Sequence, residues 1–408
     1  MSISKFPHHD VAVVGAGLAG LTLALALARS GMHIALIERQ SPDQLAAVEV
    51  DGRTTALAAS ARVVLEDIGV WHRLEPYGGP ILDIRVTDRA SPLHIHFAHA
   101  AVGDDPMGHI VENHILRREL LAALAAEPTL TAYWQQSVTA FDGAGDGSGA
   151  TATLTLDSGT IIQAPLVAAA DGRGSALRRM AGIGVRASDY HETAIVCTAY
   201  HEHSHDGIAH ERFLSGGPFA ILPMLDNAAG QYRSSIVWTE NRSLAEHLLT
   251  VPKPRFEREL ARRFGDFLGQ VTVPGEVWSY PLSVVVAKRL TGPRLVLVGE
   301  AAHGMHPIAG QGFNVSMRDI VGLRDAVTGA SLAGQDHGSP MVLSAYARKR
   351  WPDIWAMVAA TDGLNRLFRT DLPPVALARR LGLASVNRLP LLKRQFQRHA
   401  MGMLPFGR

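Results

Sequence analysis

The sequence predicts an α/β chain, α+β overall, in which a parallel-sheet domain is interrupted by an antiparallel-sheet domain and followed by a helical C-terminal region. Three observations carry this prediction. An apolar strand, a glycine turn and an apolar helix open the chain from Val11. Alternating segments such as Thr193 to Tyr200, Phe219 to Pro223 and Ser234 to Thr239 dominate between about Tyr190 and Tyr280. From Arg294 to Val298 the pattern then returns to a short apolar strand of the buried, parallel type. The return implies a discontinuous first domain, residues 1–75, 100–189 and 281–343, with 76–99 and 190–280 forming the inserted one. Residues 344–408 form the helical region.

In chain order, the opening reads as a strand (Val11 to Val14), a turn, a helix (Leu18 to Arg29) and a second strand (His33 to Ile37). Residues 11 to 28 carry no charge and so have the length of a membrane span. Three glycines inside the run, bracketed by Asp10 and Arg29, point instead to a buried strand and helix. Helices are expected at Ala58 to Leu65, Leu116 to Ala126 and Arg255 to Phe264, and paired strands between Ala132 and Val167. The loop Gly143-Ala-Gly-Asp-Gly-Ser-Gly149 looks like a phosphate-binding turn. It joins two alternating runs, however, and reads as a hairpin tip.

With 408 residues, 47% hydrophobic and 19% charged, the chain has ample material for two or three globular domains. A formal net charge of +1 gives no field that would recruit nucleic acid. Cys197 is the only cysteine, which excludes an internal disulfide, a CxxC pair and a thiolate zinc cluster, and fits a reducing, cytoplasmic compartment. His94, His96 and His99, and again His201, His203 and His205, lie close together, the second trio at a spacing that a strand would put on one face. Neither has a carboxylate or thiolate set at metal-ligand spacing beside it, so both read as exposed strand or loop histidines and no metal site is assigned.

Gly15-Ala-Gly17-Leu18-Ala19-Gly20 directly follows a strand and opens a helix, the Rossmann-type dinucleotide fingerprint. The first glycine permits the turn, the second lets the backbone approach a pyrophosphate, and the third lets helix and strand pack closely. Glu38, followed by Arg39, ends the second strand 18 residues after Gly20, placed to accept hydrogen bonds from a ribose. Two later segments separate FAD from NAD. Asp171-Gly172-Arg173-Gly174 follows the apolar strand Leu166 to Ala169. The strand Leu295 to Val298 runs into Gly299-Glu300-Ala-Ala-His303, and then into His306-Pro307-Ile-Ala-Gly310-Gln311-Gly312-Phe313-Asn314. An acid at a strand end can hold a ribityl hydroxyl, and the loop glycines let backbone N–H groups approach a flat ring.

Together these three segments resemble the flavin-dependent aromatic hydroxylases of the para-hydroxybenzoate hydroxylase superfamily. The stretch His306 to Asp319 is similar to the signature of one branch, the ubiquinone-biosynthesis hydroxylases, H-P-(aliphatic)-(A/G)-G-Q-G-x-N-x-G-x-x-D. It departs at Ser316, where the pattern has glycine, and Glu300 stands where the superfamily usually has Asp. Residues 217–223, Tyr280-Pro281-Leu282 and the tail from Asn387 to Gly402 also look like this family, so the resemblance covers essentially the whole chain.

The resemblance implies FAD as cofactor and NAD(P)H as a transient reductant. Oxygen would be transferred from O2, through a flavin C4a-hydroperoxide, to the ring of a polyprenylated phenol. It implies that Arg53 lies along the cofactor and Arg117 near its phosphates. His306, Pro307 and Gln311 would be on the loop facing the flavin, and no side chain serves as a nucleophile. A helix starting after Gly310–Asn314 would turn its positive end to the flavin N1–C2=O edge. From Leu372 to Arg408 there are seven Lys/Arg and no Asp/Glu among interleaved apolar residues. Such a tail suits peripheral contact with the cytoplasmic face of the inner membrane, a helical cap, or an interface with other ubiquinone-biosynthesis proteins. Two alternatives stay open: a hydroxylase of a soluble aromatic acid, and a non-catalytic FAD-bound subunit. A halogenase lacks support because its W-x-W-x-I-P motif is absent, and an ordinary NAD dehydrogenase would not need the two later segments.

Overall fold

The computed structural model describes residues 9–47, 52–88, 94–101, 103–144 and 150–370, together with 393, 395, 397 and 401. The tip of the expected hairpin, 145–149, and nearly all of the basic tail lie outside these residues.

The nucleotide half is built on a six-stranded sheet. Its order is Thr291–Gly292, Leu295–Leu297, Leu166–Ala169, Val11–Val14, Ile34–Glu38 and Leu130–Trp134, all parallel except the first, edge pair. The helix Leu18–Ala28 crosses over between Val11–Val14 and Ile34–Glu38 and is buried throughout from Gly20 to Ala28. That explains the uncharged run: the helix needs no polar face because protein surrounds it. Leu21, Leu23, Leu25 and Leu27 are each fully buried, worth about 1.5–3 kcal/mol apiece. No helix among the described residues is long and apolar enough to cross a membrane. The expected hairpin forms, with Val138–Asp142 antiparallel to Ala152–Leu156 and Ile161–Ala164 beyond it, whereas Leu130–Trp134, at the start of the segment expected as paired strands, joins the parallel sheet.

A larger, mainly antiparallel sheet of nine strands forms the other half. Val185–His201, Tyr232–Asn241, Gly217–Pro223, Ile208–Leu214, Asp83–Asp88 and His94–Ala98 follow one another across it, with Trp278–Ala287 on the other side of Val185–His201. Its strands therefore begin before residue 190 and continue past 280. One face packs Ile195, Phe219, Ile221 and Trp238 under the helices Arg242–Thr250 and Lys253–Phe264. Cys197 lies in this layer, and burial pushes its thiol up to about 12, leaving it a core residue. The opposite face is turned toward the nucleotide half. A small sheet of Thr54–Ala58, Gly108–Glu112 and Gly79–Ile81 sits beside the seam.

The clustered histidines are absorbed by local structure. His96 bonds Asp83 at 2.7 Å and His99 bonds the Leu82 carbonyl at 3.0 Å. The second trio does not share a strand face: the strand ends at His201, which is buried rather than exposed and bonds Ser234 and the His203 carbonyl. His205 lies in the turn beyond and bonds the Met224 carbonyl.

The two long helices, Gln311–Leu332 and Pro340–Arg369, are joined to the sheet through one carboxylate. Asp319 has no exposure; it accepts from the Gly299 N–H at 3.1 Å and from Arg350 Nε at 2.7 Å, and meets His303 Nε2 at 2.5 Å. Arg350 continues to Asp353 at 2.7 Å, which also holds Arg318. Burial alone would raise the Asp319 carboxyl, but the adjacent His303 and Arg350 hold it below the usual carboxylate range. Replacing Asp319→Ala leaves Arg350 buried without this partner and is expected to cost about 3–5 kcal/mol in urea unfolding. Because the native value is depressed, this contribution is present above about pH 4 and is lost as pH falls through the native value. The difference between wild type and variant should therefore shrink in acid; a constant difference from pH 7 to pH 3 would show that Asp319 acts only as filler.

Candidate functional site

The parallel strands deliver their C-terminal ends to one edge of the six-stranded sheet, and the predicted segments lie there in strand order. Leu295–Leu297 leads to Gly299 and Glu300, Leu166–Ala169 to Asp171, Val11–Val14 to Gly15, and Ile34–Glu38 ends on Glu38 itself. Ligands of open α/β sheets bind along this edge.

Each glycine of the first turn has a different physical reason. Gly15 has φ +103°, and a Cβ there would lie 2.5 Å from the Ala170 carbonyl oxygen. A Cβ on Gly20 would come within 1.8 Å of the Gly15 carbonyl oxygen, so only glycine lets the helix start this close. Gly17 faces open space instead. It is the N-cap of Leu18–Ala28, no side chain caps that end, and the N–H groups of Leu18 and Ala19 begin the helix. An open, uncapped helix N-terminus beside a backbone without a side chain fits a pyrophosphate.

Glu38 is buried, accepting from the Ala16 N–H at 2.6 Å and, through its other oxygen, from the Gln40 N–H at 3.0 Å. It thus braces the turn while standing at the strand end. Arg39, next to it, is exposed. Arg117 is buried on the helix Asn113–Ala125 and donates to the Leu45 carbonyl at 2.9 Å, holding the segment after the second strand. Arg53 sits 4.8 Å from the Tyr280 ring centre, bridging the nucleotide half and the large sheet by a cation–π contact.

Asp171 caps the next turn, with Oδ2 accepting from the N–H groups of Ala176 and Leu177 at 2.7 and 3.2 Å. Its Oδ1 is buried and has no partner among the described residues, and Gly172 beside it has φ +80°. A buried carboxylate oxygen left unbonded is costly unless something completes it. Glu300 differs: it is more than half exposed and reaches Arg173 at 3.4 Å, while Arg173 also donates to the Ser283 hydroxyl at 3.1 Å.

The loop 306–314 closes the site from the side of the large sheet. Gly310 has φ +62°, and a Cβ would press within 2.9 Å of Ala56. It caps the helix Gln311–Leu332, whose first turn holds neither a capping side chain nor an acid, and Gly312 within it meets nothing. Such a helix start accepts partial negative charge, as the pyrimidine edge of a flavin would present. Asn314 is used structurally: its oxygen accepts from the Ala58 N–H at 3.0 Å, and its amide donates to the Ala56 carbonyl at 2.9 Å. Gln311 is buried, and Pro307 and Phe313 are half-buried. Ser316, the departure from the glycine of the pattern, donates to the Gly312 carbonyl at 3.1 Å within its own helix. It fits because Gly299 opposite has no Cβ; one there would lie 3.1 Å from both the Ser316 hydroxyl and Ala19.

One arrangement has no signal in the linear sequence. His306, fully buried, meets Glu192 at 3.3 Å, and Glu192 also meets Asn365 at 3.1 Å and Arg369 at 2.9 Å. The cluster joins the loop, a bulge in the large sheet between Asp189 and Glu192, and the last turn of Pro340–Arg369. Only the isolated His306 was visible as a motif residue. A separate pocket of about 390 Å³, lined by Arg212, Gly216, Trp238, Glu240 and Arg263, opens on the far face of the large sheet, away from the nucleotide edge. The residues expected to bind the cofactor lie along the edge and not in that pocket.

Comparison with known proteins agrees with this geometry. A family model described as an FAD binding domain matches residues 8–361. The chain is 48% identical to the ubiquinone hydroxylase UbiL of Rhodospirillum rubrum, over 98% of this chain and 90% of that protein. It is 33% identical to the 3-demethoxyubiquinol 3-hydroxylase of Escherichia coli K12, over 97% and 98% respectively. Among solved structures, p-nitrophenol 4-monooxygenase PnpA from Pseudomonas putida shares the fold with a TM-score of 0.77 at 18% identity, covering 97% of this chain and 98% of that one. With the family model spanning most of the sequence and both hydroxylases matched along nearly their whole length, the chain belongs to the FAD-binding domain family, among its ubiquinone hydroxylases.

Proposed function

We propose that this protein hydroxylates the ring of a polyprenylated phenol in ubiquinone biosynthesis. The enzyme is an FAD-dependent monooxygenase. The observation that carries the substrate reading is the joint one. Four strand ends and the loop 306–314 enclose the nucleotide edge, and this chain is 48% identical to a ubiquinone hydroxylase. When bound, FAD supplies the electrons taken from NAD(P)H and activates O2 to deliver one oxygen atom to the ring.

The chain's own residues have three tasks. Gly15, Gly17 and Gly20, with the N–H groups of Leu18 and Ala19, would hold the pyrophosphate, and Glu38, with Arg39 beside it, the ribose. Arg117 would act near the phosphates and Arg53 along the cofactor. Asp171, through its unbonded oxygen, with Gly172 and Glu300, would hold the polar chain and ring end. Gly310, Gly312, Phe313 and Asn314 would shape the loop over the flavin, with His306, Pro307 and Gln311 facing it, and the helix start behind Gly310 would favour negative charge on the ring. Segments 1–75, 100–189 and 281–343 would constitute the FAD domain. Segments 76–99 and 190–280 would form the substrate side, an assignment supported by the apolar face that the large sheet turns to the loop. The region 344–408 would include the tail that makes peripheral contact with an anionic membrane, where a prenylated phenol resides.

Four outcomes are expected. In titrations of the apoprotein with FAD, Glu38→Ala should raise the dissociation constant about ten- to a hundredfold, since it removes charge-assisted hydrogen bonds. Glu300→Ala, at an exposed position, should raise it about two- to tenfold, and an unchanged value would remove Glu300 from the ribityl role. A strain lacking the gene should accumulate a polyprenylphenol short of one hydroxyl, identifiable by mass spectrometry; an unchanged ubiquinone pool would favour a soluble aromatic substrate. Finally, a variant truncated at Asp371 should stop co-sedimenting with anionic liposomes, and one that still sediments would end the membrane role of the tail.

A further inference from the structure

On the strand Ile208–Leu214 the period of two places Ala209, Glu211 and Phe213 on one face. Glu211 stands opposite Ala220 on one neighbouring strand and Val86 on the other, and Ala220 in turn is opposite Val237. This is the face turned away from the covering helices. Phe213 packs with Phe368 and with Ile308 of the flavin loop, and Ala209 packs in a second apolar cluster with Met224 and Ile81. Glu211 therefore interrupts the apolar stretch between Val86 and Ala220 on the face turned to the loop that would cover the flavin.

Among the described residues no hydrogen bond or ion pair reaches the Glu211 carboxyl, and burial is the sole cause that pushes it up to about 7. The next acid on the same face is Asp88, two residues beyond Val86 on the adjacent strand. Glu211 is half-buried rather than fully enclosed by protein, so its carboxyl can still be reached from the side of the loop. A buried polar group without a partner costs about 1–3 kcal/mol, and a site tolerates it when a ligand supplies the missing bond.

We propose that Glu211 contacts the substrate, accepting a hydrogen bond from its phenolic hydroxyl and so orienting the ring beneath the loop 306–314. This rests on the reading of the protein as a phenol hydroxylase. The apolar floor on either side accommodates the ring and the start of a prenyl chain, and a carboxylate acceptor draws electron density toward the ring by polarising the O–H bond. No proton needs to leave the pair for this role; should it transfer, the O–H bond breaks, the proton goes to a Glu211 oxygen, and the electron pair stays on the phenolate.

The test uses the FAD-loaded enzyme with NAD(P)H, O2 and a short-chain 2-prenylphenol as probe, comparing Glu211→Leu and Glu211→Gln. Flavin content is expected to be unchanged in both. Glu211→Leu should raise the KM for the probe about ten- to a hundredfold and spend more NAD(P)H per product formed. Glu211→Gln should restore most of the binding but lose the wild type's change in KM between pH 6 and 8. A second readout is thermal stability. A carboxyl whose native value is raised costs stability that builds up from about pH 4 and is complete above the native value, so Glu211→Gln should melt higher than wild type at pH 8 and converge with it toward pH 4. Unchanged KM, coupling and pH profile in both variants overturn the proposal, and if Glu211→Leu fails to fold, the Glu211→Gln pH profile decides alone. Wild type that leaves the probe untouched refutes the phenol-hydroxylase reading itself.

Discussion

A carboxylate with no access to solvent holds the cofactor half of this molecule in place. Asp319 belongs to the helix Gln311–Leu332, yet its partners come from the strand-end turn (Gly299), from the following segment (His303) and from the next helix (Arg350). Burying a charge is expensive unless it is paired and fully hydrogen-bonded. Here three groups from separate segments satisfy it, so those segments cannot move independently without exposing an unpaired charge. The helix start at Gly310 thereby acquires a fixed position relative to the glycine turn at Gly15. The same seam explains Ser316, whose hydroxyl sits against the bare backbone of Gly299. The flavin site proposed above, built mostly from backbone N–H groups, would need such fixing, because backbone donors have no rotamers with which to correct a misplaced loop.

Backbone chemistry also determines what can be read from the residues alone. The glycine turn was legible because exclusion of a Cβ leaves only one residue type: Gly15 and Gly20 meet carbonyl oxygens, and Gly310 meets Ala56. The strands of the parallel sheet were legible because burial on both faces makes them continuous apolar runs. The hairpin of Val138–Asp142 and Ala152–Leu156 was legible from its alternation and glycine-rich tip, whereas the alternating pattern of Leu130–Trp134 suits a hairpin as well as the edge of the parallel sheet that it joins. Sheet partners distant in sequence, such as Asp83–Asp88 beside Ile208–Leu214, leave no local trace at all. Asn314 illustrates a subtler limit. Its place in a flavin signature suggested cofactor contact, whereas its side chain bonds the backbone of Thr54–Ala58 and shapes the loop from behind.

The cluster around Glu192 shows how the two halves communicate. His306 on the loop, Glu192 on the large sheet, and Asn365 and Arg369 at the end of the last long helix meet in one buried patch. Each residue is unremarkable in its own segment; the chemistry exists only once three distant elements converge. The outcome is a loop fixed on both sides, by Asn314 to the small sheet and by His306 to the large one. Arg369 is also the last residue of that helix and is bonded to the sheet bulge.

These constraints lead to an asymmetry between cofactor and substrate sides. Toward the cofactor, the protein offers many weak donors held rigidly, and the chemistry belongs to the flavin. On the proposed substrate side, the apolar part of the sheet face around Val86, Ala220 and Val237 would supply shape and Glu211 direction. A hydrophobic wall alone distinguishes rings poorly, because one methylene more or less is worth only about 1–3 kcal/mol, whereas a polar group that must be satisfied rejects any ring lacking the matching hydroxyl far more strongly. If Glu211 takes the role proposed for it, an unpartnered carboxyl between apolar neighbours is an economical way to fix which edge of a long, greasy molecule lies beneath the loop.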